Sequence, residues 1–441
     1  MERSIITYED RSLKKFTIIW LGQFVSLLGS GLSAFGLSVW IYIKTGSATP
    51  FAMSFLCSIL PTIIFAPFAG SFADRKKRKV IIMMTDSLDA LLKLLMAVLL
   101  FFDLMHVWMV YPILFTSAIL STFQGPAFNA SIPMLVPGKH LSRANGMLQF
   151  SQACQSMLAP ILAGALFPII NLSGLLTIDF VSFFFAIFTI LFVKIPQPEL
   201  EKEKKSMFNT AMGDLKFAWN YLIEKKGFIS LLVSFSILNF IANLSIILIG
   251  PLVLSNYDSS IYGTVQAVYG LAMVLGGVLS GILPNTNKKI KTLFMMLIIS
   301  GIGLVISGIS ISWYVIALGF FIFMIPVPYA NTLLQSLVQM KIEASVLGRV
   351  GALMSAVLKS ITPIACILAG PLADNVFEPL MKNDGSIGSN FIGSLIGTGP
   401  GRGIGLLFIL CGIIILNAVC FIMLCKKQIM SMEKRLPDVS N

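Results

Sequence analysis

The sequence predicts an all-α polytopic membrane protein with twelve transmembrane helices in two six-helix repeats. Three observations lead there. Hydrophobic residues make up 56% of the chain and charged residues only 12%, whereas soluble domains are roughly 45–50% apolar. The apolar residues gather into twelve runs, each near the about twenty residues that cross a bilayer. Landmarks in the first half recur in the second at offsets of 206, 202 and 211 residues.

Taken in order, the spans fall at 14–43, 48–73, 79–103, 107–135, 142–169, 172–193, 228–254, 260–284, 291–311, 313–338, 346–373 and 403–425. Of the 32 Lys and Arg residues, 27 lie on one side, in the two tails and the loops after spans 2, 4, 6, 8 and 10. Only Lys44, Lys382 and Arg402 lie opposite, and Lys93 and Lys359 fall inside spans. Cationic loops stay cytoplasmic, so both termini are expected there, in a multi-pass protein of the cell inner (cytoplasmic) membrane. The net charge of +12 then reads as topology and contact with anionic lipids at the cytoplasmic face. Nucleic acid is not an expected partner.

The domain layout follows from the repeats. Arg143 precedes Gly164 by 21 residues in span 5, as Arg349 precedes Gly370 in span 11. Pro126 and Asn129 in span 4 match Pro328 and Asn331 in span 10, and Gly281 with Asn285 stands where Gly70 and Asp74 stand in the first half. An N-terminal six-helix bundle over 1–193 and a C-terminal one over 228–425 are expected, followed by a cytoplasmic tail, 426–441. The charged segment 194–227 links them, and its Met212–Glu224 stretch mixes apolar and charged residues as an amphipathic helix on the inner leaflet would. Gly22, Gly29 and Gly36 in span 1, and Gly277 with Gly281 in span 8, have spacings that let helices approach closely. Pro61, Pro67, Pro126, Pro160, Pro328 and Pro363 should bend their spans.

Between spans 2 and 3 the chain reads Gly70-Ser-Phe-Ala-Asp74-Arg75-Lys76-Lys77-Arg78-Lys79. This resembles motif A of the major facilitator superfamily, except that Lys77 stands at the second glycine and Phe72 at the first leucine of the pattern. The resemblance implies a conformational gate made by Gly70, Asp74, Arg75, Arg78 and Lys79: glycine for close helix contact, aspartate near the N-terminus of span 11, cations tying helix ends. Trp20-Leu-Gly-Gln23, Lys44-Thr45-Gly46-Ser47, Gly125-Pro-Ala-Phe-Asn129, Ile178-Asp179 and Leu347-Gly348-Arg349-Val350 are together similar to a bacterial exporter group that includes macrolide-efflux and enterobactin-exporter proteins. That implies a secondary active exporter of a small amphiphilic molecule such as a drug, macrolide-like compound or siderophore. Alternating access and proton antiport come with the resemblance. The alternative is a siderophore, lipid or metabolite transporter, running in uptake or with other coupling, with a transporter-like sensor behind it.

The resemblance also implies that spans 1, 2, 4, 5, 7, 8, 10 and 11 line the cavity. Away from their ends these carry no carboxylate and one cation, Lys359. Their neutral polar residues are Gln23, Ser26, Gln124, Asn129, Gln149, Gln152, Asn239, Asn243, Gln266, Asn331 and Gln335. Each is as suited to hydrogen bonding within the bundle as to ligand contact. With Lys359 as the only charge, a neutral or anionic cargo is expected. Ionisable residues inside a bilayer are costly and functional by default. Asp86, Asp89 and Asp179 are therefore proton-coupling candidates, although spans 3 and 6 are peripheral in the implied fold and Asp89 stands four residues from Lys93 as a self-neutralising pair.

The six cysteines lie in or at the ends of apolar runs without a CxxC pair, and His106 and His140 fall at opposite membrane faces, so no metal or cofactor is expected. The Gly397–Gly403 stretch fails the spacing of a phosphate-binding loop, so ATP is not an expected energy source. No arrangement of nucleophile and base suggests an enzyme. A monomer with a small-molecule substrate and protons as partners completes the expectation.

Overall fold

The computed structural model describes residues 12–193, 216–223, 226–283 and 289–424, and these are helical without a strand. Helix α1 is Leu13–Thr45 and stops at Gly46, whose φ of 61° is the left-handed conformation that terminates helices. Then come α2 (Ala48–Arg75), α3 (Arg78–Phe101), α4 (Val107–Leu135) and α5 (Leu141–Phe192). At 52 residues α5 is too long for one crossing, and it breaks at Asn171 (φ 55°, ψ −174°) into two limbs, at the expected boundary between spans 5 and 6.

Helix α6 covers 216–223. Next are α7 (Lys226–Leu254), α8 (Ser259–Ile282) and α9 (Lys289–Ile309). The tenth span is interrupted: α10 (Trp313–Met324) ends before Pro326 and α11 (Val327–Lys341) begins after it. Pro326 and Pro328 remove two main-chain donors, so the expected bend becomes a break. Helix α12 (Ala344–Pro371) runs into a π-helical stretch, Leu372–Phe377. Two short helices, α13 (Glu378–Leu380) and α14 (Phe391–Ile396), precede α15 (Arg402–Leu424).

Ten helical stretches among the described residues are long and apolar enough to cross a membrane. One of them contains the Asn171 break and counts twice. Helix α3, which carries Asp86, Asp89 and Lys93 in its apolar run, supplies the twelfth.

The described residues form two compact units. The first contains α1, α2 from Met53 onward, α3, α4, α5 and the Asp258–Ala267 head of α8. Its core joins Phe16, Ile19, Ile82, Ala127, Ile132 and Ile190. Here the glycine stripe of α1 does what its spacing suggested: a Cβ at Gly22, Gly29 or Gly36 would run into Thr189, Ser182 and Leu175 respectively, all on the second limb of α5. The two helices pack almost backbone to backbone.

The second unit holds Ser47–Ala52, α6, α7, the rest of α8 and α9 to α15. In α6, Ala218 and Leu222 sit in the core with Tyr329, Leu333 and Val350, while Phe217, Trp219 and Ile223 stay exposed. In α8 the close approach falls one residue from where the sequence suggested it. Gly277 and Gly281 meet no described atom within 4 Å, whereas a Cβ on Gly276 would strike the Ile325 carbonyl and Pro328. The spacing identified the helix, but its rotation decides which glycine faces the neighbour.

Candidate functional site

The first unit encloses a pocket of about 520 Å³ between α1, α3, α4 and both limbs of α5, within the usual roughly 300–1,000 Å³ of small-molecule sites. Three carboxylates line it. Asp86 accepts from the Nε2 of Gln23 at 3.0 Å and from the Nε2 of Gln124 at 2.6 Å, one donor on each oxygen. Gln124 Nε2 also lies 3.4 Å from Gln23 Oε1, so α1, α3 and α4 converge on one small polar knot.

Asp179, on the second limb of α5, is 4% exposed. Ser30 Oγ donates to its Oδ1 at 3.1 Å and Ser33 Oγ to its Oδ2 at 2.5 Å. Those serines can reach because Gly29, beside Ser30, brings α1 against the Asp179 backbone. Asp89 accepts from Ser117 Oγ and pairs with Lys93, whose Nζ is 3.8 Å from Oδ1. Lys93 is also within electrostatic range of Asp179.

The pocket of the first unit, unlike the acid-free cavity expected from spans 1, 2, 4, 5, 7, 8, 10 and 11, carries acids in its lining. That expectation rested on leaving spans 3 and 6 out of the lining. In the structure α3 and the second limb of α5 are walls, and they supply Asp86, Asp89, Lys93 and Asp179. The Asp89–Lys93 pair forms as its spacing suggested, but inside the pocket.

Of the neutral polar residues, Gln23, Ser26, Gln124, Asn129 and Gln152 line the pocket. Gln149 is exposed and is not part of the lining. Gln266 donates to the hydroxyl of Tyr262 one turn earlier at 2.5 Å. In the second unit, the Asn243 side chain donates to the Asn239 carbonyl at 2.7 Å and to its Oδ1 at 2.9 Å, a bond within α7. Asn331, Gln335 and Lys359 are exposed, and Lys359 has no hydrogen-bond or ion-pair partner among the described residues. Sequence reasoning assigned no role to Ser30, which it met only in the exporter-like stretch Trp20–Ser30, and missed Ser33 and Ser117; these hydroxyls hold two of the acids. Ser30 and Ser33 share a face of α1 beside Gly29, which was the available signal.

Around the basic loop, Arg78 is 9% exposed and donates to the Ala130 carbonyl at 2.6 Å and to the Met134 sulfur at 2.9 Å. Lys79 Nζ donates to the carbonyls of Leu191 at 3.1 Å and Val193 at 3.0 Å. Cations placed at these C-terminal carbonyls complement the helix dipoles. A Cβ at Gly70 would meet no described atom within 4 Å. The side chains of Asp74 and Arg75, the remaining members of the expected gate, lie outside the described residues.

Twelve apolar crossings and a polar pocket within the first unit define a multi-pass membrane protein of the transporter class. Residues 19–365 match the family model of the Major Facilitator Superfamily, and the chain belongs to that superfamily. It is 29% identical over 379 residues to Macrolide efflux protein A of Streptococcus pyogenes, covering 84% of this chain and 91% of that protein. The Macrolide efflux protein A of Enterococcus faecalis is 29% identical over 329 residues, covering 72% and 99%. Among solved structures, a bacterial homolog of the human lysosomal transporter Spinster has a TM-score of 0.69 at 15% identity, covering 95% of this chain and 98% of that one. A bacterial homologue of the iron transporter ferroportin reaches 0.63 at 16% identity, covering 93% and 100%. At such identities these two share the fold.

Proposed function

We propose that this protein is a secondary active exporter of small amphiphilic molecules, working by alternating access in the cytoplasmic membrane with both termini cytoplasmic, and driven by proton entry. The observation that carries the reading is the pocket itself: ionisable side chains are too costly to keep within a membrane span unless they act, and three acids sit there around a volume suited to a ligand. The resemblance to macrolide efflux proteins over most of the chain supports the outward direction and a drug-like cargo.

Among the acids, Asp89 is engaged by Lys93 and Ser117, and Asp179 is closed in by two serines. Asp86 is the one that is partly open to the pocket and held only by neutral amides. Asp86 is therefore the coupling residue, alternately protonated and free. The role belongs to a transporter and not to an enzyme.

The test uses everted membrane vesicles from an expressing host that lacks its own pumps. Vesicles acidified inside should accumulate labelled erythromycin, and a protonophore should abolish the accumulation. Accumulation that ignores the proton gradient would overturn the coupling, and no difference from vesicles without the protein would overturn export of this cargo.

A further inference from the structure

We infer that the short helix α14 is a membrane-docking element, with Phe391, Ile392 and Leu395 seated in the lipid leaflet beside it, the outer leaflet in the orientation proposed above. The partner is the lipid surface itself, and the contact does not depend on what the protein carries or in which direction.

The segment between α12 and α15 is held in a fixed shape by its own backbone. The Ile387 and Gly388 amides both donate to the Leu380 carbonyl, at 3.2 and 2.9 Å, and the Gly399 amide donates to the Met381 carbonyl at 3.3 Å. Glu378 accepts from the Gly401 and Ile404 amides, which ties the segment to the start of α15. Helix α14 sits inside this frame. A Cβ on Gly393 would strike the carbonyl of Gly388, and Ile396 joins Met381 and Leu406 in a small buried cluster. One side of α14 is therefore filled, partly backbone against backbone, and the helix cannot turn to bury its other side.

That other side is apolar. At about 3.6 residues per turn, Phe391, Leu395 and Ile392 fall on one continuous arc, next to the arc that holds Ile396 and Gly393. The three are 79%, 67% and 44% exposed. No charged residue lies within α14, and the nearest before it in sequence, Lys382 and Asp384, have opposite signs. Large apolar side chains standing together and facing outward mark an interaction surface.

What they face follows from depth. Ile396 shares its cluster with Leu406, and Ile409 packs against that cluster, so α14 lies beside the first two turns of α15, a helix that begins at Arg402 and crosses the bilayer. At about 1.5 Å per residue, Leu406 and Ile409 stand roughly 6 and 10 Å along that helix. Interfacial amphipathic helices bury their apolar faces about 5–10 Å into the boundary between headgroups and acyl chains. A second neighbour gives the same level. A Cβ on Gly397, which ends α14, would lie 3.7 Å from Ile311 in the turn before α10, and α10 opens with the stacked pair Trp313 and Tyr314. Aromatic residues at the start of a span belong to the headgroup level. Helix α14 therefore stands beside the spans and not above them, where outward-facing apolar side chains meet lipid.

Phe391→Trp and Leu395→Trp keep an apolar residue at two exposed positions, and Ser386→Trp, in the exposed turn before α14, serves as the control. Each full-length protein is placed, one copy per disc, in phosphatidylcholine nanodiscs with and without bromine on the acyl chains, and the added fluorescence is read as the difference from the wild-type chain. The signals of Phe391→Trp and Leu395→Trp should be shifted to the blue, lose most of their intensity to brominated lipid and lose little to iodide in the water. The signal of Ser386→Trp should do the reverse. Because the arc carries no charge, added sodium chloride should leave the lipid quenching unchanged. Quenching of the first two by iodide and not by brominated lipid would show an arc open to water, free for a protein partner, and overturns the inference. Protection from both quenchers would show an arc covered by the chain itself and overturns it as well. Equal lipid quenching of Ser386→Trp would show the whole segment immersed and removes the assignment to this arc.

Discussion

The side-chain amide of Gln124 on α4 donates to Asp86 on α3 across 2.6 Å. A hydrogen bond to a charged group contributes about 1.5–3 kcal/mol, and an unmet buried partner loses a similar amount. Gln124→Leu should therefore lower the thermal stability of the purified protein and reduce export at equal expression, whereas Gln152→Leu, which lines the same pocket from α5 with no hydrogen bond to an acid among the described residues, should leave stability near wild type. Melting curves in detergent with vesicle accumulation would check both.

Within the second unit, Asp374 caps the start of α2. Its Oδ1 accepts from the Ala48 amide at 2.9 Å, and its Oδ2 accepts from the Thr49 amide at 2.8 Å, Thr49 Oγ1 at 2.6 Å and Ser47 Oγ at 2.5 Å. This is a helix N-cap supplied from about 325 residues away in sequence, and its carboxylate meets the positive end of the dipole. Asp374→Ala should cost about 1–2 kcal/mol, the upper range for a cap. Asp374→Asn should keep part of it. Calorimetry or a thiol-reactive melting assay would show the order.

Gly29 and Gly70 make a contrasting pair. A Cβ at Gly29 would stand 3.1 Å from the Asp179 Cα and nearer still to Ser182. At Gly70 it would meet nothing described within 4 Å. Gly29→Val should therefore force α1 off α5 at an overpacking cost of about 1–3 kcal/mol and lower the yield of monodisperse protein, while Gly70→Ala should fold normally. Size-exclusion profiles after solubilisation would separate them.

Arg402, at the start of α15, is 0% exposed. Its Nη2 donates to the carbonyls of Gly308 at 2.6 Å and Ile309 at 3.2 Å, which end α9. Glu378 accepts from the Gly401 amide at 3.2 Å and the Ile404 amide at 3.1 Å in the same corner. Removing one member of a buried charged set typically costs about 3–5 kcal/mol. Arg402→Met should accordingly yield little folded protein, and Arg402→Lys should rescue it only in part, because an ammonium cannot span both carbonyls as the guanidinium does.

The crossings were legible because a bilayer demands about twenty apolar residues whatever the neighbours are, and even the turn at Asn171 fell between two marked spans. The pocket was legible only in pieces. Gln23, Gln124 and the acids were each singled out, yet nothing local says that α3 turns Asp86 toward α1 and α4. Which helices form a wall is settled by packing, here by the Gly22, Gly29 and Gly36 stripe that draws α1 onto the second limb of α5. Ser30 and Ser33 looked like ordinary membrane-helix serines because a hydroxyl there can satisfy its own helix. The Asp374 cap joins residues too far apart for any spacing rule to connect.

The central claim is that Asp86 exchanges a proton for the cargo, and proton release reads this directly. Erythromycin, brought to the same pH and added to weakly buffered, purified protein at mildly acidic pH, with a pH indicator present, should release protons in proportion to protein, and Asp86→Asn should release none. Saturating binding with no proton release from the wild type, or undiminished release from Asp86→Asn, would contradict the account.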